Sequence, residues 1–312
     1  MVDTYLTVWG KLEAAYGTDA VPTGAANAVL SFDLETKPFD IEQLKRALDK
    51  PTRGATGSAA SRKRREFGYK VELAGSGTAG IAPAWMEQNQ ACGMAAPVLV
   101  ATVSAQQRFA AVGAAISAMT HYHWVENQRR RGVGGRGDIS SINFEAGKIP
   151  YIKYDWVELL HSGGLDQVAP GASDYARWKD PLEVNADNTS VSLHGFACVL
   201  KSCDIKVNAA IDFRDLPGRK YVARGNHEVK ADMLIELPDL AAKNYFDAAL
   251  NNIVGPLLII HGTQAGRIVE VSGPNTQILD CQDASEGQTA MVRISALLNV
   301  VAGQDDLIIT AK

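Results

Sequence analysis

The chain of 312 residues contains little of what marks a secreted, membrane-spanning or nucleic-acid-binding protein. Its four cysteines form no Cys-x-x-Cys pair, which excludes a dense disulfide framework and predicts small, buried apolar side chains. A formal net charge of −4 is too mild for general affinity for nucleic acid or anionic lipid. The longest apolar runs, 97–103 and 255–260, are too short to cross a bilayer. Because the amino terminus also lacks the basic and apolar segments of a secretory signal, we expect a protein that folds in a cytoplasm.

Catalytic signatures are absent from the sequence as well. It contains no Gly-x-Ser-x-Gly elbow and no phosphate loop ending in Gly-Lys-Ser/Thr. The stretch Gly132–Gly137 spells a dinucleotide-binding pattern, but a strand is predicted to follow it where that site needs a helix, so we interpret it as a turn. His121 and His123 have the spacing of two metal ligands on a strand, without a third ligand at a companion spacing. We therefore predict no catalytic, cofactor-binding or metal site, and a protein that is not an enzyme.

What the sequence does contain is one arrangement of elements written twice. In each half, a strand with alternating apolar residues leads into a short helix that begins near a proline, and a glycine-containing hairpin follows. The strand blocks 69–73 (Tyr-Lys-Val-Glu-Leu) and 233–237 (Met-Leu-Ile-Glu-Leu) read alike, and so do the hairpins around Gly147 and Gly287. A duplicated β-rich unit is typical of proteins that build pseudo-symmetric assemblies from repeated strand edges.

Strands dominate this pattern and helices are few, so the predicted fold class is mainly β. We expect two tandem β-sandwich or partial-barrel domains, each with one flanking α-helix. The boundary falls in the polar, glycine-containing connector 163–179, which gives domains 1–180 and 181–312. The first domain also carries an amino-terminal segment at Thr4–Tyr16, which we interpret as an arm or a short helix outside the core. Its segment 95–112 has no clear counterpart in the second domain, and we interpret it as an outward decoration or an extra interface.

A basic segment at 43–65 separates two predicted strands and is too long for a hairpin turn, which predicts a protruding loop. Three uses of its charge remain open: a solvated loop base, a site for a polyanion, and a contact with an acidic surface on a neighbouring copy. The third use would make 43–65 a stacking loop with a set of basic residues. These residues are Lys45, Arg46, Lys50, Arg53, Arg62, Lys63, Arg64 and Arg65.

Five blocks of the sequence share their pattern and their order with a known family. They are 14–23, 67–79, 82–94, 136–151 and 305–310. On these blocks the chain resembles, over nearly its whole length, the major tail tube proteins of long-tailed, non-contractile bacteriophages. The block 136–151 is the most specific of the five, and none of them is a catalytic signature.

The resemblance implies a structural virion protein with tail-tube domains, each a β-sandwich with a flanking helix. Members of that family form rings that stack into a hollow tail, and the sheets of neighbouring domains join edge to edge around the lumen through which DNA leaves the capsid. A long loop after the second strand reaches the adjacent ring, and the segment 43–65 stands at that place. Such a lumen should repel phosphate, because any retained contact would slow the passage of DNA.

The resemblance also implies the partners of this chain. We expect it to bind itself, the adjacent rings and other tail proteins at the tube ends, with no membrane partner and no specific binding of the DNA that passes through. Many members have one tube domain and form hexameric rings. The duplication favours a homotrimer with pseudo-sixfold symmetry here, and a homohexamer is the alternative. The expected location is the virion tail, assembled in the cytoplasm of the host bacterium.

A competing interpretation is a two-domain β-sandwich binding protein that recognises carbohydrate or a host surface. A hydrolytic enzyme ranks well below both, because acidic pairs such as Asp138 and Glu145 lie on predicted strands without a cleft. The mass of the protein in solution separates the first two interpretations, since one predicts rings or tubes and the other a stable monomer.

Overall fold

The computed structural model describes residues 6–51 and 54–312, so Arg53 and the start of the predicted arm, Thr4 and Tyr5, lie outside the described residues. Strands account for 52% of the chain and helices for 6%, and most strands belong to one large antiparallel sheet. The predicted mainly β class is confirmed. None of the described helices is long and apolar enough to span a membrane.

The elements are numbered here in chain order. Up to residue 180, which we call the first half, the strands are β1 (Leu6–Leu12), β2 (Ala28–Val29), β3 (Ser31–Thr36), β4 (Asp40–Leu44), β5 (Ala59–Glu72), β6 (Val98–Val100), β7 (Ser104–Gln107), β8 (Met119–Val125), β9 (Gln128–Glu145) and β10 (Tyr151–Gln167). In the second half, 181–312, they are β11 (Thr189–Leu193), β12 (Phe196–Cys198), β13 (Leu200–Lys206), β14 (Ile211–Leu216), β15 (Arg219–Arg224), β16 (Lys230–Glu236), β17 (Val254–His261), β18 (Val269–Glu286), β19 (Thr289–Leu298) and β20 (Ile308–Ala311). The helices are α1 (Gly24–Asn27), α2 (Trp85–Ala91) and α3 (Tyr245–Leu250).

One continuous row of antiparallel strands runs across both halves, in the spatial order β3-β5-β10-β9-β13-β16-β19-β18. We call this row the eight-stranded sheet. Its first four strands come from the first half of the chain and its last four from the second. The two halves meet where Ile142–Glu145 of β9 pair with Ser202–Ile205 of β13, a contact that we call the in-chain seam.

A second row covers one face of this sheet in each half. In the first half the second row is β2-β1-β8-β9, and in the second half it is β12-β11-β17-β18. Val8 and Met119 from the second row share one buried apolar cluster with Tyr69 and Trp156 from the eight-stranded sheet. The long strands β9 and β18 take part in both rows, so each carries the chain from one layer into the other.

The order of strand pairing in the first half recurs in the second. Corresponding pairs are β1 and β11, β2 and β12, β3 and β13, β5 and β16, β8 and β17, β9 and β18, and β10 and β19. The helices α2 and α3 each follow the corresponding strand, β5 or β16. The sheet itself is continuous across residue 180, so the division into two domains, 1–180 and 181–312, stays a prediction.

The expected amino-terminal arm is wrong for residues 6–12, which form β1. Val8 and Trp9 are buried, and β1 pairs along its whole length with β8. The strand was missed because its apolar residues follow no clean alternation and its partner lies more than a hundred residues further along the chain. Burial against that distant strand decides the local structure here.

The expected protruding loop at 43–65 is also wrong at both of its ends. Gln43 and Leu44 belong to β4, and Ala59–Arg65 open the long strand β5, with Leu44 directly opposite Ala59. The segment is therefore a two-stranded hairpin, and only 45–58 connects its strands. We call β4, the connection and the start of β5 the basic hairpin.

The segment 95–112, which lacks a counterpart in the second half, contains β6 and β7. Its strand β7 pairs with the carboxy-terminal strand β20, with Gln107 opposite Ile309. The pairing of β7 with β20 fits the second of the two interpretations, an extra interface. This interface joins the segment to the second half of the same chain.

Three smaller expectations are corrected by the structure. The helix of the second half begins after Asn244, whose side chain accepts a hydrogen bond from the Asp247 amide, and therefore later than the predicted start near Pro238. The connector at 163–179 begins later than expected, because β10 extends to Gln167. Of the cysteines, Cys92 and Cys203 are buried as expected, and Cys198 and Cys281 are half-buried.

Candidate self-assembly surfaces

The in-chain seam shows how the repeated edges of this chain bind each other. Phe144 lies opposite Cys203 and Ile142 opposite Ile205, and all four side chains are fully buried. Phe144 reaches the second half, where its ring meets His261 edge-on at 6.1 Å between ring centroids. The pairing therefore combines main-chain hydrogen bonds with apolar burial, as in a strand added to the edge of a sheet.

The two outer strands of the eight-stranded sheet are open on one side. Among the described residues, β3 pairs only with β5, and residues 279–286 of β18 pair only with β19. Asp33 and Glu35 on β3 are exposed, as are Asp283 and Glu286 on β18. Exposed edges of this length offer unpaired main-chain donors and acceptors to another strand.

These open edges are the counterparts of the two strands that pair in the in-chain seam. Tyr151 of β10 lies between Asn143 of β9 and Glu72 of β5. Met291 of β19 lies in the same way between Ala284 of β18 and Glu236 of β16, so β18 corresponds to β9. Likewise, β3 borders β5 as β13 borders β16. The chain thus satisfies one such pair of edges internally and leaves the same pair unsatisfied at its two ends.

The eight basic residues predicted for the stacking loop fall into four groups, of which Arg65 alone forms the last. Arg53 lies outside the described residues. Arg62 and Arg64 are held by their own chain: Arg62 donates to the Phe213 carbonyl at 2.7 Å, and Arg64 pairs with Asp40 at 2.8 Å and Glu66 at 2.6 Å. The remaining basic residues of the hairpin, which are exposed and for which the described structure shows no ion pair, are Lys45, Arg46, Lys50 and Lys63.

Arg65 does not belong to the surface at all, which corrects its prediction as a stacking residue. It is 1% exposed, pairs with the fully buried Glu158 and donates to the main-chain oxygen of His121. Burial lowers the pKa of Arg65, and the charge of Glu158 counteracts that effect. Alternation along β5 places Arg65 on the inward face with Phe67 and Tyr69, while Lys63 precedes the stretch that pairs with β10 and is exposed. Glu158 lies 93 residues away, so sequence spacing gave no signal for this pair.

The glycine pattern Gly132–Gly137 lies within β9 rather than in the predicted turn, and its first glycine makes room for this buried ion pair. A Cβ atom at Gly132 would lie 1.8 Å from a carboxylate oxygen of Glu158. Glycine is required here for a close approach between two strands. The pattern therefore has no helix after it and no dinucleotide-binding geometry.

The two predicted metal-ligand candidates sit in the same interior. His121 contacts the Glu158 carboxylate through Nδ1, and His123 contacts the Thr36 hydroxyl through Nε2 at 2.7 Å. Burial, with the charges of Arg65 and Arg130, holds the pKa of His123 well below 6.5. Among the described residues no three His, Cys, Asp or Glu side chains are grouped so as to hold a metal ion.

The two ends of the eight-stranded sheet differ in charge. The basic hairpin projects at the end where β5 begins, and the hairpin β14–β15 lies beside it. The opposite end carries the β9–β10 and β18–β19 turns and the connector around Val184, whose amide donates to the Lys148 carbonyl. Six carboxylates gather at this opposite end, which we call the acidic end: Glu72, Glu145, Asp180, Glu183, Glu236 and Glu286. Two of them pair with lysines of the same end, Glu145 with Lys148 and Glu286 with Lys201.

The open face of the eight-stranded sheet, which points away from the apolar core, carries acidic and basic residues in nearly equal number. On its six inner strands the acidic residues are Glu66, Glu72, Asp138, Glu145, Asp155, Asp204, Asp232 and Glu236. The basic residues at the same face are Arg64, Lys70, Arg136, Lys153, Lys206, Lys230 and Arg293. Carboxylates pair with five of these cations, namely Arg64, Lys70, Lys153, Lys206 and Lys230. Most cations of this face are therefore already held by carboxylates.

Comparison with known proteins adds no relative to this description. No family model matches the chain. No curated protein matches it either.

Proposed function

We propose that this protein is a self-assembling structural subunit, the major tail tube protein of a long-tailed, non-contractile bacteriophage. One observation carries the proposal: the chain joins two repeats of a strand pattern edge to edge through the in-chain seam, and leaves the same two edges open at its ends. A protein whose repeat already binds its own copy is suited to bind further copies in the same way. In this proposal the two repeats are tandem tube domains, 1–180 and 181–312.

Repeating one head-to-tail contact produces either a closed ring or an open filament, depending on the rotation between copies. We infer a closed ring, because the resemblance to tail tube proteins favours it. With two repeats in each chain, three chains supply six repeats, so the ring is a homotrimer with pseudo-sixfold symmetry. A ring of six chains is the alternative, and the symmetry of isolated rings distinguishes the two.

Stacking of rings follows from the charge difference between the two ends of the sheet. The basic hairpin presents Lys45, Arg46 and Lys50 beside the exposed apolar side chains of Leu44 and Leu48. The acidic end of a copy in the next ring offers complementary charge to this hairpin. Mixed charged and apolar contacts of this kind give both orientation and burial to an interface.

The open face of the eight-stranded sheet then lines the lumen. Most of its cations are paired with carboxylates, which suits a channel through which DNA passes without specific binding, because phosphates find few free cations to retain them. Within the virion the partners are other copies, adjacent rings and the tail proteins at the tube ends, and assembly takes place in the cytoplasm of the host. No catalytic, cofactor or membrane role is part of this proposal.

Electron microscopy of the purified protein tests the proposal directly. Rings or hollow tubes are the expected particles, over a range of protein concentrations and salt. Dispersed subunits with the mass of a monomer under every condition would contradict the proposal and favour the β-sandwich binding protein instead.

A further inference from the structure

The in-chain seam specifies how two separate chains would meet, residue by residue. At the seam Asn143 lies opposite Asp204. The counterpart of Asn143 is Ala284, since Met291 lies opposite Ala284 as Tyr151 lies opposite Asn143. Repeating the seam between two chains therefore brings Ala284 of one copy to the counterpart of Asp204 in another.

That counterpart is Glu35. In the first half, Gly68 of β5 lies between Glu35 of β3 and Asp155 of β10. In the second half, Asp232 of β16 lies in the same way between Asp204 of β13 and Ser295 of β19. In this register Ser285 lies opposite Leu34, and Asp283 lies opposite Thr36. Glu286 then faces the irregular part of β3 between Phe32 and Glu35, where Asp33 has a φ of 50°.

The two seams differ in chemistry although they share a register. Ile142 and Phe144 of the in-chain seam are replaced by Asp283 and Ser285 at the open edge of β18. Asp204 and Ser202 of the in-chain seam correspond to the acidic stretch around Asp33 and Glu35. The contact between chains therefore buries less apolar surface than the in-chain seam and collects carboxylates from both edges.

Some of these carboxylates have cations of their own chain. Asp33 pairs with Lys70 at 2.8 Å, Glu286 with Lys201 at 2.5 Å, and Glu35 lies 4.0 Å from Lys153. These ion pairs are exposed, so water and salt screen them and leave part of the negative charge at each edge. Charged side chains on an edge strand are a common protection against premature pairing.

We propose that chains join by antiparallel pairing of residues 283–286 with Leu34–Thr36 of a second copy, and that the carboxylates of this between-chain seam keep it open at low ionic strength. The inference rests on the proposed function and adds the register and the control of assembly to it. Like charges across neighbouring strands destabilise the pairing, and salt screens that repulsion, so added salt promotes ring formation.

A cysteine pair tests the register. In the double variant Glu35→Cys, Ala284→Cys, oxidation of assembled protein is expected to give a ladder of covalent oligomers on a non-reducing gel. The control variant Glu35→Cys, Ser285→Cys places the second cysteine on the opposite face of β18 and is expected to give none. An in-chain bond is excluded, because the two edges lie roughly 30 Å apart along the sheet at about 4.8 Å per strand.

Charge removal tests the control of assembly. At low salt, the variant Glu35→Gln, Glu286→Gln is expected to assemble at about fivefold lower protein concentration than the wild type, which corresponds to one unfavourable cross-strand pair removed. The control Glu87→Gln, Glu270→Gln changes the net charge equally at two other ion-paired carboxylates, on α2 and in the second row, and is expected to match the wild type. The difference between variant and wild type should disappear at high salt.

The outcomes separate this inference from the proposed function. Rings or tubes without the expected disulfide ladder would overturn the register while leaving the proposed function intact. Equal assembly of variant, control and wild type at low salt would overturn the control by carboxylates. The absence of particles at any salt concentration would contradict the proposed function itself.

Discussion

Arg65 and Glu158 show how single residues in this fold are decided by distant partners. Both side chains are buried, and His121 contacts the same carboxylate. An ion pair in the interior gains little over an apolar pair, but removing one partner leaves a buried charge without compensation. The structural role of Arg65 is therefore separable from the surface role of its neighbours on the basic hairpin.

The variant Arg65→Ala is expected to lower the free energy of unfolding by about 3–5 kcal/mol, because Glu158 would lose its buried partner. Denaturant unfolding of the unassembled subunit measures this change. The matched control is Lys63→Ala at an exposed position of the same strand, which should change the free energy of unfolding by less than about 0.5 kcal/mol. Equal effects of the two substitutions would contradict the buried position of Arg65.

His123 makes the stability of the subunit depend on pH. Burial holds the pKa of His123 well below 6.5, so the folded chain keeps this imidazole neutral while the unfolded chain protonates it near 6.5. The stability that His123 contributes is present above about pH 6.5 and is lost as pH falls from there toward its folded pKa. Half-buried Glu13, whose pKa is raised by burial, contributes in the opposite direction at lower pH.

Between pH 7.5 and 5.5 the wild type is expected to lose about 1 kcal/mol more unfolding free energy than His123→Gln, whose amide can still contact Thr36. Denaturant unfolding at the two pH values measures the difference, and comparison of the two proteins removes the contribution of Glu13. A variant with the same pH dependence as the wild type would contradict a neutral His123 in the folded state.

At the scale of elements, the basic hairpin is the part of the fold most exposed to a partner. Lys45, Arg46 and Lys50 extend from it without ion pairs among the described residues, and Leu44 and Leu48 are exposed beside them. Arg62 and Arg64, by contrast, fix the base of the hairpin to its own chain. The stacking contact proposed above therefore depends on the connection 45–58 more than on the strand that follows.

Reversing the three charges, in Lys45→Glu, Arg46→Glu, Lys50→Glu, is expected to shorten the tubes severalfold without changing the melting temperature of the unassembled subunit. The effect should be largest at low salt, because screening already weakens the native attraction at high salt. A control reverses three exposed cations elsewhere, in Lys11→Glu, Arg108→Glu, Arg267→Glu, and should leave tube length unchanged. Tubes of normal length from the hairpin variant would rule out its stacking role.

The elements that sequence reasoning found are those whose pattern is local. Alternation along β5 and β16, the helix around Trp85 and the glycine hairpins at Gly147 and Gly287 all follow from neighbouring residues, and the structure confirms them. The strand β1 and the pairing of β4 with β5 were missed, because burial against β8 and cross-strand contacts decide them. The same limit hid the in-chain seam, where residues about sixty positions apart meet.

At the scale of the whole molecule, the candidate surfaces could be predicted only in part. The sequence repeat pointed to an assembly of repeated edges, but it could not indicate which edges stay open. The eight-stranded sheet supplies that information, since its order places β3 and β18 at the two ends. The charge of the open face likewise depends on which side of each strand turns away from the core.

Symmetry of the assembled particle is the measurement that tests the central claim most directly. Averaged end-on views by electron cryo-microscopy are expected to show a ring of six similar units around an open bore, built from three chains, with β18 of each chain against β3 of the next. Protein that stays monomeric at every salt and protein concentration, or rings whose chains touch through surfaces other than these two edges, would contradict the account.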